Sequence, residues 1–465
     1  MEIPIVGGAY TGKSKNLNSQ MCQNLYPVLD QEGGKYPVAL FGTPGLSVFA
    51  DSGFNKEVRA MNVMGDYLYA CIGNRVYKFS STGMATLITG NLNSSTGSVW
   101  MEDDGVYMVI VDGRNGYYTT GTTLTQITDA DFPQPSSLAY QDTFWIVTVA
   151  GSDEFYKSAS GDPTSWDGLQ FSTAEAKPDR TLSVFSFARN LVMFGFETTE
   201  IFYNSGNATF PYEKIPGSFS EIGCGAAKSP AGVGDTLCWL GRNRHVYRNE
   251  GYRAVDISTS QIVYQIQQFE DVRDAFGFGY IDEGHYFYVL TFPSGDKTFV
   301  YDITTSLWHT RASTTQDTRH PANCYVRFSG KHIVGHHTNG KLLYYDHSKY
   351  TDDGEVLRAI RRAKAVHKER KRIVHHSLEV EFEAGVGINT GQGSDPIAVM
   401  RHSDDGGHTW SNELWESIGK IGEYETRAVW NKLGVSRDRV YEIMITDPVK
   451  RVILSANLNV TECTS

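Results

Sequence analysis

The sequence predicts an all-β protein: a β-propeller of about six or seven blades, followed by a small C-terminal antiparallel β-sandwich domain. Three observations carry this. A hairpin pattern recurs between residues 60 and 350, its period of roughly 40 to 50 residues is that of propeller blades, and the final segment alternates apolar and polar residues at strand period.

The hairpins come first because they define the fold. Each pairs an apolar, aromatic-rich run with a second run ending in aromatic residues, across a turn containing Gly or Asp. The copies are Tyr67-Leu68-Tyr69 with Val76-Tyr77, Val106-Tyr107-Met108 with Tyr117-Tyr118, Phe144-Trp145-Ile146 with Phe155-Tyr156, and Leu191-Val192-Met193 with Ile201-Phe202-Tyr203. Three more follow: Leu237-Cys238-Trp239 with Val246-Tyr247, Tyr286-Phe287-Tyr288 with Phe299-Val300-Tyr301, and Ile333-Val334 with Leu342 to Tyr345. Turn residues such as Asp112-Gly113 and Ser294-Gly295-Asp296 interrupt the runs, and no amphipathic helix that would build a parallel sheet is expected between them.

The expected division is an N-terminal arm over 1–54, the propeller over 55–351, a basic linker over 352–374 and a sandwich over 375–465. The arm carries Asn24-Leu25-Tyr26-Pro27 and Gly42-Thr43-Pro44-Gly45-Leu46, turn-rich and without a core of its own. A strand around Leu46 to Phe49 is expected to join the last blade and close the ring, which removes exposed sheet edges. In the sandwich, Ser377 to Phe382 and Val440 to Ile445 alternate as half-buried strands do.

Composition fits many short strands: 46 Gly and 26 Tyr in 465 residues, with only 20% charged. No apolar run is long enough to span a membrane, and the N-terminus lacks a secretory signal pattern, so folding in a cytoplasm is expected. The net charge of −11 argues against a general nucleic-acid binder. One strip departs from this balance. Arg358, Arg361, Arg362, Lys364, Lys368, Arg370, Lys371 and Arg372 face only Glu369, a local charge of about +7 that leaves about −18 elsewhere. Three readings stand: a solvated linker, a contact with an acidic neighbouring subunit, or a phosphate-contacting strip.

Four patterns invite chemistry. Gly7 to Ser14 (Gly-Gly-Ala-Tyr-Thr-Gly-Lys-Ser) matches the P-loop spacing, but the residues after it suit no packed helix and no βαβ unit follows. Ser403-Asp404-Asp405-Gly406-Gly407-His408-Thr409-Trp410 fits an Asp-box, a hairpin turn in which Ser403, Asp405, Gly407, Thr409 and Trp410 have structural parts: Asp405 bonds turn amides, Gly407 takes positive φ and Trp410 packs beneath. It occurs once, outside the propeller, whereas a sialidase-like enzyme would repeat it. The pairs His336-His337 and His375-His376 are expected on opposite strand faces, wrong for a shared metal. The six cysteines are scattered singly and read as small buried hydrophobes. No catalytic, metal or cofactor site is predicted, and the chain reads as non-enzymatic.

Taken in order, Cys22 to Pro27, Gly42 to Leu46, Glu379 to Gly387, Ser403 to Trp410, Arg427-Ala428-Val429-Trp430-Asn431-Lys432-Leu433-Gly434 and Thr446-Asp447-Pro448-Val449 resemble the packaged DNA stabilization proteins of short-tailed bacteriophages, also called tail hub or nozzle proteins. The resemblance spans nearly the whole chain. It implies a structural virion protein, located in the virion tail after assembly in the host cytoplasm. Copies of it, six by this analogy, would form a ring below the portal and adaptor, continue the DNA channel and help retain the packaged genome. The implied partners are the chain itself, the tail adaptor (head-to-tail connector), a distal needle, fibre or spike protein, and passing double-stranded DNA without sequence recognition. The runner-up reading is a glycan-binding or glycan-cleaving propeller. Under the ring reading, reversing Arg361, Arg362 and Arg370 to Glu is expected to impair assembly.

Overall fold

In a computed structural model, residues 3–463 are described apart from 4, 15–17, 31, 175–178, 314–316 and 370. Seven blades of four antiparallel strands form the propeller, over 58–87, 100–126, 135–173, 181–214, 231–256, 276–313 and 322–346, the last two as parts of larger sheets. The last takes its fourth strand from the arm: Gly45–Asp51 pairs antiparallel with Lys341–Asp346. Each hairpin read from the sequence is the second and third strand of one blade.

Those strands stand out because both their faces are covered. In Tyr67–Ile72 and His285–Phe292 nearly every residue is buried, since each blade packs its two faces on its two neighbours. Seven apolar clusters follow the ring, one between each pair of adjacent blades. The cluster between the seventh blade and the first holds Ala50 of the closing strand with Val58, Leu68, Ile333 and Leu342, so closure is a packed contact as well as a ladder. Two-residue turns join first and second strands: Asp142-Thr143, Ala188-Arg189, Glu283-Gly284 and Ser329-Gly330 all have positive φ at both positions. That geometry matches the strand twist of a tight hairpin.

Helix is not wholly absent. Ser260–Gln267 forms a helix of about two turns between the fifth and sixth blades, capped by the Thr259 side chain, and buries Ile262, Val263 and Ile266. It fills the space beside Trp308 rather than building a parallel sheet.

The arm and the supposed linker differ most from expectation. The sixth blade does not end at Leu307–Ser313; its sheet continues through Ser19–Gln23, Ala359–Arg362, Asp438–Ile445, Ile397–Ser403 and Leu414–Ser417. Facing it, Leu25–Leu29, Val38–Gly42, Val452–Glu462, Ile373–Phe382 and Ala428–Asn431 make the second sheet of the sandwich. One core joins them, containing Ile3, Ile5, Cys22, Leu25 and Leu40 from the arm with Ala359, Ala363 and Val366 from the strip. The sandwich is therefore built from both ends of the chain, and residues 359–362 are an interior strand of it.

Asn24 fixes the joint. At φ 53 it occupies the left-handed region that Asn tolerates. Its side chain donates to the carbonyls of Ala312 (2.9 Å) and Arg358 (2.8 Å) and accepts from Ala312 N–H at 3.0 Å. Propeller, arm and sandwich meet on this one residue.

Candidate functional site

The P-loop-like segment is a structural arm. Tyr10–Thr11, within the motif, pairs with Ser19–Gln23, so a strand stands along the stretch that a phosphate-binding helix would occupy; Lys15 to Leu17 lie outside the described residues. Gly7 and Gly8 of this segment lie against Arg361. Its guanidinium donates to the carbonyls of Ile5, Gly8 (3.0 Å) and Met21 (3.3 Å) and to Gln20 Oε1 (2.9 Å). A Cβ at Gly7 would come within 3.1 Å of the same guanidinium.

The basic strip accordingly splits in two. Arg361 is fully buried, and Arg362 reaches Glu442 at 2.6 Å. Glu442, itself 1% exposed, also holds Arg401 through a hydrogen bond of 2.6 Å. Arg358 pairs with Asp317. None of these three is free to meet DNA or a neighbouring acid, which corrects the linker, subunit and phosphate readings for them. Burying a guanidinium group is costly unless carbonyls or carboxylates satisfy it, and they do so for Arg361 and Arg362. Reversal of Arg361 or Arg362 to Glu would break the sandwich rather than report on assembly. Lys364, Lys368, Lys371 and Arg372 remain exposed, with Lys368 and Lys371 against Glu462. Arg370 lies outside the described residues.

The Asp-box turn links Ile397–Ser403 to Leu414–Ser417. Asp405 accepts from the N–H groups of His408 and Thr409, both at 2.9 Å, and from Thr409 Oγ1 at 2.7 Å. Hydrogen bonds from the Ser403 and Thr409 hydroxyls and from the Thr409 and His408 N–H groups hold its carboxyl well below the usual range. Ser403 donates to Asp405 at 2.7 Å, and Gly407 has φ 96. Trp410 packs against the turn, its ring 3.5 Å from where a Cβ on Gly407 would lie, and the same ring lies 4.8 Å from the guanidinium carbons of both Arg362 and Arg401. The turn thus covers the Arg362–Glu442–Arg401 network.

The two histidine pairs differ. His375 and His376 take opposite faces: His375 bonds Ser436 (2.9 Å) and Tyr441 (2.8 Å) in the interior, and His376 bonds Thr461 at 2.8 Å outside. His336 and His337 instead stack, with centroids 4.8 Å apart, because the strand ends at His336 and alternation ends with it. Among the described residues no group of three or more His, Cys, Asp or Glu is placed to hold a metal ion. All six cysteines are free thiols, four buried and two half-buried.

Burial lowers the His375 pKa to about 4. The unfolded chain then binds a proton that the folded one does not, so this contribution to stability is present above about pH 6.5 and is lost as pH falls toward 4. Thermal unfolding of His375→Gln should show a smaller drop in melting temperature between pH 7 and pH 5 than the unaltered protein.

The propeller axis encloses a cavity of about 690 Å³ lined by the innermost strands, including Arg59, Glu102, Lys228 and Tyr325. Arg59 is spent on structure, donating to the carbonyls of Gly73, Ser94, Thr96 and Gly97. Burial and Asp103 push Glu102 up to about 7, and burial brings Lys228, whose ammonium donates to Val99 O and lies 4.7 Å over Trp100, down to about 8. Sequence reading missed both groups, since nothing in their local spacing distinguishes them.

Three comparisons with known proteins complete the picture. A family model described as the β-propeller of bacteriophage P22 Gp10 matches residues 1–350, and one described as the β-sandwich of the same protein matches residues 359–461. None of the curated proteins matches the chain. Solved structures with overall similarity include a catalytically inactive virginiamycin B lyase from Staphylococcus aureus (TM-score 0.45, 10% identity, covering 64% of this chain and 98% of that one). Two others are the computationally designed Ika8 protein (0.42, 8%, covering 66% and 100%) and BamB from Moraxella catarrhalis (0.40, 6%, covering 69% and 96%). With propeller and sandwich matched in order over most of its length, the chain belongs to the bacteriophage P22 Gp10 family, the packaged DNA stabilization proteins of short-tailed phages.

Proposed function

We propose that this protein is a structural, non-enzymatic part of the phage tail. Copies of it form a ring below the portal and adaptor that continues the DNA channel and helps retain the packaged genome. The observation that carries the reading is the match of both parts of the chain to one phage structural family. Two physical features support it. The sheet running from the sixth blade into the sandwich makes one stiff block, suited to a part that bears load. A net charge of −11 lets DNA pass, where a basic lining would bind phosphates through many salt-dependent contacts and stall it.

Particles filled with DNA in the absence of this protein should leak. Digestion by added nuclease is expected to destroy most of their genome, and addition of the purified protein to restore protection. Full protection without it would count against retention.

A further inference from the structure

We infer that the sandwich carries the contact between copies, the acidic and aromatic end of one sandwich seating on the basic end of the next. This rests on the ring reading above and names the surfaces that make the ring. Strand Ile373–Phe382 runs the length of the sandwich, about 33 Å at about 3.3 Å per residue. Its start is basic. Exposed Lys364, Lys368, Lys371 and Arg372 precede it, and Lys432 is anchored beside it by an N–H bond to His376 O at 2.7 Å. Glu369 and Glu462 offset part of this charge, but Lys364, Arg372 and Lys432 have no ion-pair partner among the described residues.

Its far end is apolar and acidic. Ala428 pairs with Val380 there, which brings the loop before Ala428 next to the loop after Phe382. Tyr424 is 76% exposed, Ile421 55% and Trp415 63%. Tyr424 is not a loose side chain: a Cβ at Gly385 would lie 2.6 Å from its ring, so the glycine seats it. Trp415 sits on Leu414–Ser417, the terminal strand of its sheet, whose outer edge pairs with no described strand. An exposed edge bearing large aromatics is a surface that proteins cover. Around it Glu413, Glu416, Glu423 and Glu425 have no ion-pair partner among the described residues.

The occupant follows from charge and placement. The complementary basic surface is at the opposite end of the same body, so head-to-tail contact between identical copies satisfies both ends at once. Such a heterologous contact is what a closed ring requires.

Two variants test this, with adaptor present and assemblies counted by electron microscopy. One carries Glu413→Lys, Glu416→Lys, Glu423→Lys and Glu425→Lys; the other carries Lys364→Glu, Arg372→Glu and Lys432→Glu. Glu416 is half-buried and the other substituted side chains are exposed, and unchanged melting of each variant will show that it folds. Each variant alone should yield at least tenfold fewer rings than the unaltered protein, because both its ends then bear the same sign. An equal mixture should restore rings, with copies alternating. Trp415→Ala with Tyr424→Ala should lower ring yield similarly. Variants that form rings alone, or a blocked pair that stays blocked when mixed, would overturn the pole-to-pole contact while leaving the ring intact. Unaltered protein that forms no ring with the adaptor would overturn the ring reading itself.

Discussion

Deleting residues 1–51 is expected to leave no stably folded protein, with cooperative thermal unfolding lost and limited proteolysis proceeding to small fragments. The deletion removes the fourth strand of the seventh blade and so opens the propeller at its closure. It also takes Ser19–Gln23 from the joint and both Leu25–Leu29 and Val38–Gly42 from the sandwich. Ile3, Ile5, Leu25 and Leu40 leave the sandwich core, and Leu46 and Tyr26 leave the cluster between the sixth and seventh blades. At about 1.5–3 kcal/mol for each large apolar side chain, these losses match or exceed the 5–15 kcal/mol that ordinarily separates folded from unfolded domains. A truncated chain that still melts cooperatively would show that the arm is an accessory.

Arg361→Ala is expected to destabilise the sandwich by about 3–5 kcal/mol, the cost typical of removing one partner from a buried charged network. The arginine's own desolvation is relieved, but the carbonyls of Ile5, Gly8 and Met21 lose their donor inside the protein. Arg361→Met keeps most of the volume and none of the donors, and should cost nearly as much; Arg361→Lys, with fewer donors, should fall between. Urea unfolding followed by tryptophan fluorescence measures the series, Trp430 reporting from the sandwich core. A methionine variant as stable as the unaltered protein would mean that the hydrogen bonds contribute little.

Half of each blade was legible in the sequence for a physical reason. Second and third strands are covered on both faces and spell apolar, aromatic runs. First strands line the central cavity and carry polar or small residues, such as Ser183 in Thr181–Phe187 and Gly277 and Gly279 in Phe276–Asp282, so they escape a search for apolar runs. The turns Asp142-Thr143 and Ala188-Arg189 hold positive φ without the glycine that would announce it.

The sandwich shows the opposite limit. Its alternating strands could be read, but Met21 pairs with Arg362 and Leu40 with Ile453, partners more than three hundred residues apart that no local pattern connects. Charge density misled at Arg361 and Arg362, because a run of cations looks solvated until the carbonyls and the Glu442 carboxylate that meet it are known. The Asp-box was legible as a turn through Ser403, Asp405, Gly407 and the Trp410 that packs on it; the contact of Trp410 with Arg362 and Arg401 was not, since those residues come from other strands.

Electron microscopy of the purified protein mixed with its adaptor decides whether this chain is a building block of a tail ring. The expected result is a ring of copies stacked on the adaptor, enclosing an open channel. Persistent monomers that make no contact with the adaptor would contradict it.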